Sequence, residues 1–356
     1  MNISQLDKNF HVETEIQKED LKFYDIKEAP FQIHGVFYEN GCYRRMPEDV
    51  AKTVSGGVKL LHIRTAGGRV RFRTDSPYIA VHVELPMVSK MPHCALTGSA
   101  GLDLYVRENG KQRYLKTFIP PVDMENAFES VVDLPGGTMQ EYVINFPLYS
   151  AVSKLYVGLS QTAVVEAPTP YTITKPVVFY GSSITQGGCA SRPGNCYQNP
   201  ISRRLDMDYI NLGFSGNARA EVEMAEYIKN LDMSAFVYDY DHNAKTLDYL
   251  AETHERMFRI IRQANPELPV IMMPRPKYVL TPGEEKRAAV VRATYEKALA
   301  SGDQNVYYID SRSLMRLAGH EGTVDATHPN DLGFASMAQA IGDVLETILY
   351  KKEVEK

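Results

Sequence analysis

Apolar and polar positions follow different patterns in the two halves of the chain. Up to about residue 165, apolar residues recur with a period of two, as in IAVHVEL at 79–85 and LDLYV at 102–106. Glycine pairs and Asn-Gly steps such as Asn109-Gly110 separate these runs. Such alternation between hairpin signals is typical of half-buried antiparallel strands. We therefore predict an antiparallel β-sandwich, of the jelly-roll kind, for the first half.

The second half alternates short apolar runs with helical stretches. In one stretch Leu247, Leu250, Met257, Phe258 and Ile261 recur at helical spacing. The apolar runs that flank the helical stretches are VVFY (177–180), YINL (209–212), AFVYDY (235–240), PVIMM (269–273) and VYYID (306–310). This pattern predicts an α/β domain with a mostly parallel sheet that is covered on both faces.

A proline-rich segment lies between the two patterns. The stretch EAPTPYTITKP at 166–176 holds three prolines in eleven residues, which is typical of a linker. A chain of 356 residues also exceeds the usual size of a single core. We therefore predict two domains, a β-sandwich over 1–170 and an α/β domain over 171–356.

Composition narrows the class of protein. A net charge of -5 gives no reason to expect nucleic acid or an anionic membrane as a partner. The first twenty residues are charged throughout and lack the apolar core of a secretory signal, so we expect a cytoplasmic protein, although an exported form with a removed signal stays open. Cys189 and Cys196 are near neighbours, and we expect thiols in an unsecreted chain. The sequence does not determine the oligomeric state.

Four short polar segments of the second half stand just after a predicted strand or before a predicted helix. Together they offer a serine, a glycine amide, an asparagine side chain, and a histidine three residues after an aspartate. Acyl transfer needs a nucleophile, oxyanion donors, a general base and an orienting carboxylate, which is this same set. The segments are GSSITQG (181–187), NLGFSGN (211–217), DYDHNA (239–244) and VDATHPNDLG (324–333).

These segments, in this order, resemble the four blocks of the SGNH (GDSL-type) hydrolases over roughly residues 175–350. The first block, Gly-Asp-Ser-Leu/Ile, matches GSSI with serine where aspartate usually stands, so the resemblance implies Ser183 as the nucleophile. It implies Gly216 and Asn243 as oxyanion donors beside the Ser183 amide. The last block, Asp-x-x-His, implies Asp325 and His328 as the remaining members of a triad.

The first half carries a second resemblance. SAGLDLYV at 99–106 is similar to the Gly-x-Asp-Leu-Tyr signature of a β domain that precedes a subset of these hydrolases. Several two-domain relatives deacetylate sugars, so the resemblance implies a carbohydrate O-acetyl esterase that acts on an acetylated sugar. A lipase or thioesterase is the rival among enzymes, and a carbohydrate-binding protein with a degenerate hydrolase fold is the rival outside them.

Other readings of single residues stay open from the sequence. Ser183 can also be a helix N-cap, and only the resemblance favours it over Ser182 as the nucleophile. Arg192 is a candidate substrate contact and equally a structural arginine. Asp241 and His242 lack a distant third ligand, so we expect a hydrogen-bonded loop there, with no metal and no cofactor in the reaction.

Overall fold

The computed structural model describes residue 7, residue 12 and residues 15–351, which form two compact units. The first unit takes the described residues up to Arg44 together with Ile63–Thr169 and Ser191–Pro193. The second unit takes Arg45–His62, Pro170–Ala190 and the described residues from Gly194 onwards. Much of the charged segment 1–20, on which the prediction of a cytoplasmic location rests, lies outside the described residues.

The segment Arg45–His62 belongs to the second unit, whereas the boundary drawn from the sequence assigned it to the first. It contains helices α1 (Glu48–Val54) and α2 (Gly56–Leu61). The guanidinium of Arg45, which is buried, donates to the carbonyl oxygens of Asn211 and Gly213. The physical reason for the difference is apolar burial, because the segment adds five side chains to the core of the second unit: Met46, Ala51, Val54, Val58 and Leu61.

The first unit is an antiparallel β-sandwich, which confirms the predicted fold of this half. One sheet has the strand order β1-β11-β6-β9, and the other has the order β12-β5-β10-β7-β8 with β2 beside β5. Strands β3 and β4 form a separate hairpin. Ile79, Val81 and Val83 are fully buried between the sheets, as their alternation predicted. The strands are β1 (Leu21–Asp25), β2 (Gln32–His34), β3 (Phe37–Glu39), β4 (Cys42–Arg44), β5 (Arg69–Thr74), β6 (Tyr78–Glu84), β7 (Leu102–Glu108), β8 (Lys111–Phe118), β9 (Ala127–Asp133), β10 (Gln140–Asn145), β11 (Lys154–Ser160) and β12 (Val165–Glu166), with the short helix α3 (Leu96–Ser99) before β7.

The second unit is built on a parallel five-stranded sheet of order β14-β13-β15-β16-β17, which confirms the predicted α/β class. Its strands are β13 (Ile173–Gly181), β14 (Met207–Gly213), β15 (Ala235–Asp239), β16 (Val270–Met272) and β17 (Val306–Tyr308). Its further helices are α4 (Ser183–Gln186), α5 (Gln198–Leu205), α6 (Val222–Ile228), α7 (Leu247–Ala264), α8 (Pro282–Ala300), α9 (Ser311–Leu314) and α10 (Asp331–Lys351).

Side chains of β13 pack on both faces of this sheet. Val178 lies in one core cluster with Met224 of α6. Phe179, one residue further along, contacts the ring of Tyr197 with centroids 5.6 Å apart. Tyr197 in turn stacks on Phe334 of α10 at 6.3 Å. Because successive residues of a strand point to opposite faces, helical layers cover the sheet on either side.

Helix α10 has an apolar face, and its residues Met337, Ile341, Leu345 and Ile348 are buried in the unit. Among the described residues, this helix alone is long and apolar enough to cross a membrane by length and composition. Half of its most apolar window is buried inside the protein, however. The helix therefore packs as a core element of the α/β unit.

Candidate active site

Three of the polar segments follow three neighbouring strands of the parallel sheet. Residues 181–186, here called the Ser-Ser turn, leave the end of β13, which lies between β14 and β15, and enter α4. Residues 214–217 follow β14 on one side, and residues 241–243 follow β15 on the other. In open parallel sheets the carboxyl ends of strands on either side of a change in strand order form the usual site crevice.

The two serines of the Ser-Ser turn have different environments. Ser182 is fully buried and is the N-cap of α4, since its hydroxyl accepts a hydrogen bond from the Ile184 amide at 3.2 Å. Ser183 is the first helical residue and remains partly exposed. Its Oγ lies 2.9 Å from Nε2 of His328. The capping role that the sequence left open for Ser183 therefore belongs to Ser182.

His328 is held by the loop that precedes α10. Its Nδ1 lies 2.7 Å from Oδ2 of Asp325, and its main-chain amide donates to Oδ1 of the same carboxylate at 2.7 Å. The Thr327 amide donates to that oxygen as well, at 3.0 Å. Partial burial alone would raise the pKa of Asp325, but these hydrogen bonds lower it to about 2. The carboxylate is thus ionised at neutral pH and fixes the orientation of the imidazole.

The segment after β14 is tied to the segments on either side of it. The Phe214 amide donates to the carbonyl of Gly181 at 2.8 Å, and Nδ2 of Asn243 donates to the carbonyl of Phe214 at 3.2 Å. Gly216 has a φ of 69°, in the left-handed region that favours glycine. The structure thereby brings the Ser-Ser turn, the loop that contains Gly216 and the Asn243 side chain to one edge of the sheet. Whether the three act together as oxyanion donors stays a prediction.

One positioning contact escaped the sequence analysis. The side chain of Gln186 is fully buried, and its Oε1 accepts from the Ser215 amide at 3.0 Å. It therefore links α4 to the loop that carries Gly216. Gln186 stands inside the segment GSSITQG, but a polar residue in a short helix gives no signal of a contact 29 residues away.

The segment after β15 is braced by arginines. Nε of Arg275 lies 3.2 Å from Oδ2 of Asp241, and Arg287 donates to the main-chain carbonyls of Asp241 and Ala244. Burial lowers the pKa of His242 to about 4, against the smaller opposing effect of the Asp241 charge. At neutral pH His242 is thus an uncharged imidazole beside Asn243. The ion pair with Arg275 fits the hydrogen-bonded loop that the sequence favoured for these two residues.

Arg192 has partners within the β unit, to which residues 191–193 belong. One guanidinium nitrogen lies 2.9 Å from Oδ2 of Asp103 and also donates to the Tyr105 hydroxyl. The guanidinium carbon lies 4.0 Å from the centre of the Tyr114 ring. Asp103 and Tyr105 are the third and fifth residues of the Gly-x-Asp-Leu-Tyr stretch. These contacts give Arg192 a structural role, and its part in substrate binding stays a prediction.

The four cysteines, all within the described residues, are thiols in the structure. Cys196 is fully buried, and its Sγ donates to Oε1 of Gln198 at 2.7 Å. Burial raises the pKa of the Cys196 thiol well above its usual range. Cys189 and Cys196 thus form no disulfide bond with each other, which agrees with the thiols expected from the sequence.

Family models match both halves of the chain. The GDSL-like lipase/acylhydrolase family matches residues 174–346, and the GxDLY model, described as the N-terminus of SGNH hydrolase-type esterases, matches residues 21–165. A crystal structure from Bacteroides ovatus ATCC 8483, labelled a GDSL-like lipase, is 30% identical with a TM-score of 0.82 and covers 92% of this chain and 98% of its own. The chain belongs to the SGNH (GDSL-type) hydrolases. In this SGNH hydrolase the GxDLY domain precedes the GDSL-like domain.

More distant structures share the fold of this SGNH hydrolase. The salicylyl-acyltransferase SsfX3 from a tetracycline biosynthetic pathway is 22% identical with a TM-score of 0.72, and the match covers 94% of this chain and 99% of that one. An acetyl xylan esterase from the rumen bacterium Butyrivibrio proteoclasticus is 13% identical with a TM-score of 0.57, covering 92% and 98%. Comparison with curated proteins finds no significant match.

Proposed function

We propose that this SGNH hydrolase is a serine esterase that removes small acyl groups, chiefly acetyl, from a carbohydrate. The observation that carries the proposal is the continuous hydrogen-bonded line through three side chains. Ser183 Oγ lies 2.9 Å from one ring nitrogen of His328, and Asp325 lies 2.7 Å from the other. A base within hydrogen-bond reach of a hydroxyl, itself oriented by a carboxylate, is the arrangement that activates a serine.

In the acylation step, Nε2 of His328 takes the proton of the Ser183 hydroxyl as Oγ bonds to the carbonyl carbon of the ester. The negative charge that develops on the carbonyl oxygen is stabilised by the amides of Ser183 and Gly216 and by the Asn243 side chain. Collapse of the tetrahedral intermediate breaks the bond to the sugar oxygen. His328 then returns its proton to that oxygen, and the deacylated sugar leaves.

Deacylation repeats these steps with water as the nucleophile. His328 takes a proton from water as its oxygen attacks the acyl-Ser183 carbonyl, and the proton returns to Ser183 Oγ as the acid is released. Asp325 stays ionised throughout, because its hydrogen bonds hold its pKa at about 2. Its charge favours the imidazolium that forms in each half-reaction and keeps the Nδ1 hydrogen on the side away from Ser183.

Two structural relatives bear on the choice of substrate class. An acetyl xylan esterase shares the two-domain fold over almost its whole length, which supports an acetylated sugar, although at 13% identity. The relative at 30% identity is labelled a lipase, so a longer acyl chain is the second candidate. The contact between Ser183 and His328 argues against a degenerate, non-catalytic binding protein.

An activated acetate ester tests the chemistry directly. We expect the full chain to hydrolyse p-nitrophenyl acetate, and we expect Ser183→Ala to lose about a thousandfold or more of kcat. Ser182→Ala is the matched control: it removes an N-cap worth about 1 kcal/mol of stability, and turnover should remain measurable. Activity retained by Ser183→Ala, or a serine-reactive phosphonate mapped to Ser182, would contradict the assignment.

The substrate class is tested with two further series. Rates on p-nitrophenyl esters from acetate to octanoate should fall as the acyl chain lengthens, and acetate should be released from acetylated xylo-oligosaccharides. A preference for octanoate would favour the lipase or thioesterase alternative. An inactive wild-type chain that binds oligosaccharides would favour the binding protein.

A further inference from the structure

A buried carboxyl group lies directly beneath the Ser-Ser turn. Asp239 is the last residue of β15, and only 4% of its surface is exposed. Its Oδ1 accepts a hydrogen bond from the Thr185 hydroxyl at 2.7 Å. The Ser182 amide donates to the main-chain oxygen of Asp239 at 3.3 Å and also lies 3.5 Å from Oδ1. The carboxyl group thus contacts the turn on both sides of Ser183.

The fit between this carboxyl group and the turn is close. A Cβ atom built on Gly181 would lie 2.1 Å from Oδ1 of Asp239 and 2.2 Å from the Thr185 hydroxyl. A side chain at position 181 would therefore push the carboxyl group away, so the glycine is required by the close approach. Ser182 occupies the position where the family block has aspartate, so here an acidic group reaches the turn from the neighbouring strand.

The surroundings of Asp239 favour the protonated carboxyl group. Oδ2 is buried and has no hydrogen-bond partner among the described residues. The titratable groups that face it are Asp241 and, from the segment before α5, Tyr197 and Cys196. Each of these is neutral or negative, so none offsets a charge on Asp239. Burial, aided by the Asp241 charge and opposed by the Thr185 hydrogen bond, raises the pKa of Asp239 to about 7.

We propose that Asp239 is a positioning residue for Ser183, which supports the Ser-Ser turn when protonated and weakens catalysis when ionised. The inference rests on the proposed role of Ser183 as the nucleophile. An ionised carboxylate would draw the Ser182 amide and the Thr185 hydroxyl towards itself and disturb the turn. It would also place a negative charge one residue away from the amide that is to stabilise the oxyanion, and like charges repel.

The pH dependence of kcat tests this inference on the full chain. We expect the wild-type kcat for p-nitrophenyl acetate to fall about tenfold on the alkaline side, with an inflection near pH 7. Asp239→Asn keeps the size of the side chain and an oxygen for Thr185, but it cannot ionise. We expect it to match the wild type at pH 6 and to lose the alkaline decrease, while the acid limb stays.

A second variant keeps the test valid if Asp239→Asn folds poorly. Thr185→Val removes the hydrogen bond that favours ionised Asp239, so the alkaline inflection should move upward by about half a pH unit to one unit. A purely structural role for Asp239 would change the rate at every pH without moving the inflection. An alkaline limb unchanged in both variants would overturn the inference.

Ser183→Ala separates this inference from the proposed function. If Ser183→Ala is inactive while Asp239→Asn retains the wild-type alkaline limb, the nucleophile assignment stands and the role of Asp239 is refuted. If Ser183→Ala remains active, the proposed function fails, and the inference that depends on it fails with it.

Discussion

Replacing Asp239 by asparagine removes an ionisable group from the core without changing the size of the side chain. The pKa of this carboxyl group is about 7 in the folded chain, against an ordinary value of 3.8. Since the folded chain binds the proton more tightly than the unfolded chain, wild-type stability falls as pH rises from about 4 to 7 and then levels off. Asp239→Asn removes this decrease.

The size of the effect follows from the two pKa values. Each pKa unit corresponds to 1.36 kcal/mol. At pH 8 the buried carboxyl group therefore lowers the free energy of unfolding by about 4 kcal/mol. For a unit of roughly 200 residues this corresponds to about 10 °C in Tm. The gain of Asp239→Asn over the wild type should be complete above pH 7 and absent below pH 4.

Differential scanning calorimetry between pH 4 and pH 8 measures this gain. The readout is the change with pH in the Tm difference between variant and wild type, because any constant effect of the amide cancels. Asp232→Asn is the control, at a carboxylate whose side chain is 76% exposed, and its Tm should follow that of the wild type at each pH. Parallel curves for Asp239→Asn and the wild type would refute the reasoning.

Three further predictions concern the α/β unit and its chemistry. Leu61→Ala should destabilise the unit by about 2–5 kcal/mol in chemical unfolding. Leu60→Ala is the control, because this side chain is 57% exposed, and it should cost less than about 0.5 kcal/mol. Equal losses in the two variants would contradict the packing of this segment. His328→Gln should be nearly inactive, and Asp325→Asn should be impaired but still active. Because the pKa of Asp325 is about 2, a loss of activity between pH 6 and pH 4 should not follow the titration of this carboxylate. Full activity of His328→Gln would exclude the triad. Ester hydrolysis should survive a strong chelator, and a loss that zinc or manganese restores would show a metal-dependent reaction.

The sequence predicted those features that depend on local periodicity. Alternation around Val81 predicted the sandwich, and the apolar run at 177–180 predicted a buried strand of the parallel sheet, because both patterns reflect which faces of a strand are buried. The resemblance singled out Ser183 and His328, which the structure places in hydrogen-bond contact, while their catalytic roles remain to be measured.

Other features escaped the sequence because they depend on contacts between distant segments. Asp239 stood where an apolar strand meets the polar segment DYDHNA, and nothing local shows that its carboxyl group meets the turn after β13. The segment 45–62 gave no signal of its own, since two helices of six and seven residues are too short for a clear helical period. The proline-rich linker shows where the pattern of apolar residues changes, but it gives no information on which hydrophobic core an earlier segment joins.

Because residues 45–62 pack in the core of the α/β unit, a single cut after the β-sandwich does not yield that unit whole. A recombination event or an expression fragment beginning at residue 171 would lack Arg45 and five apolar side chains of the core, including Val58. A fragment that is to keep the whole core of the α/β unit must therefore include residues 45–62 as well as the chain from residue 170 onwards.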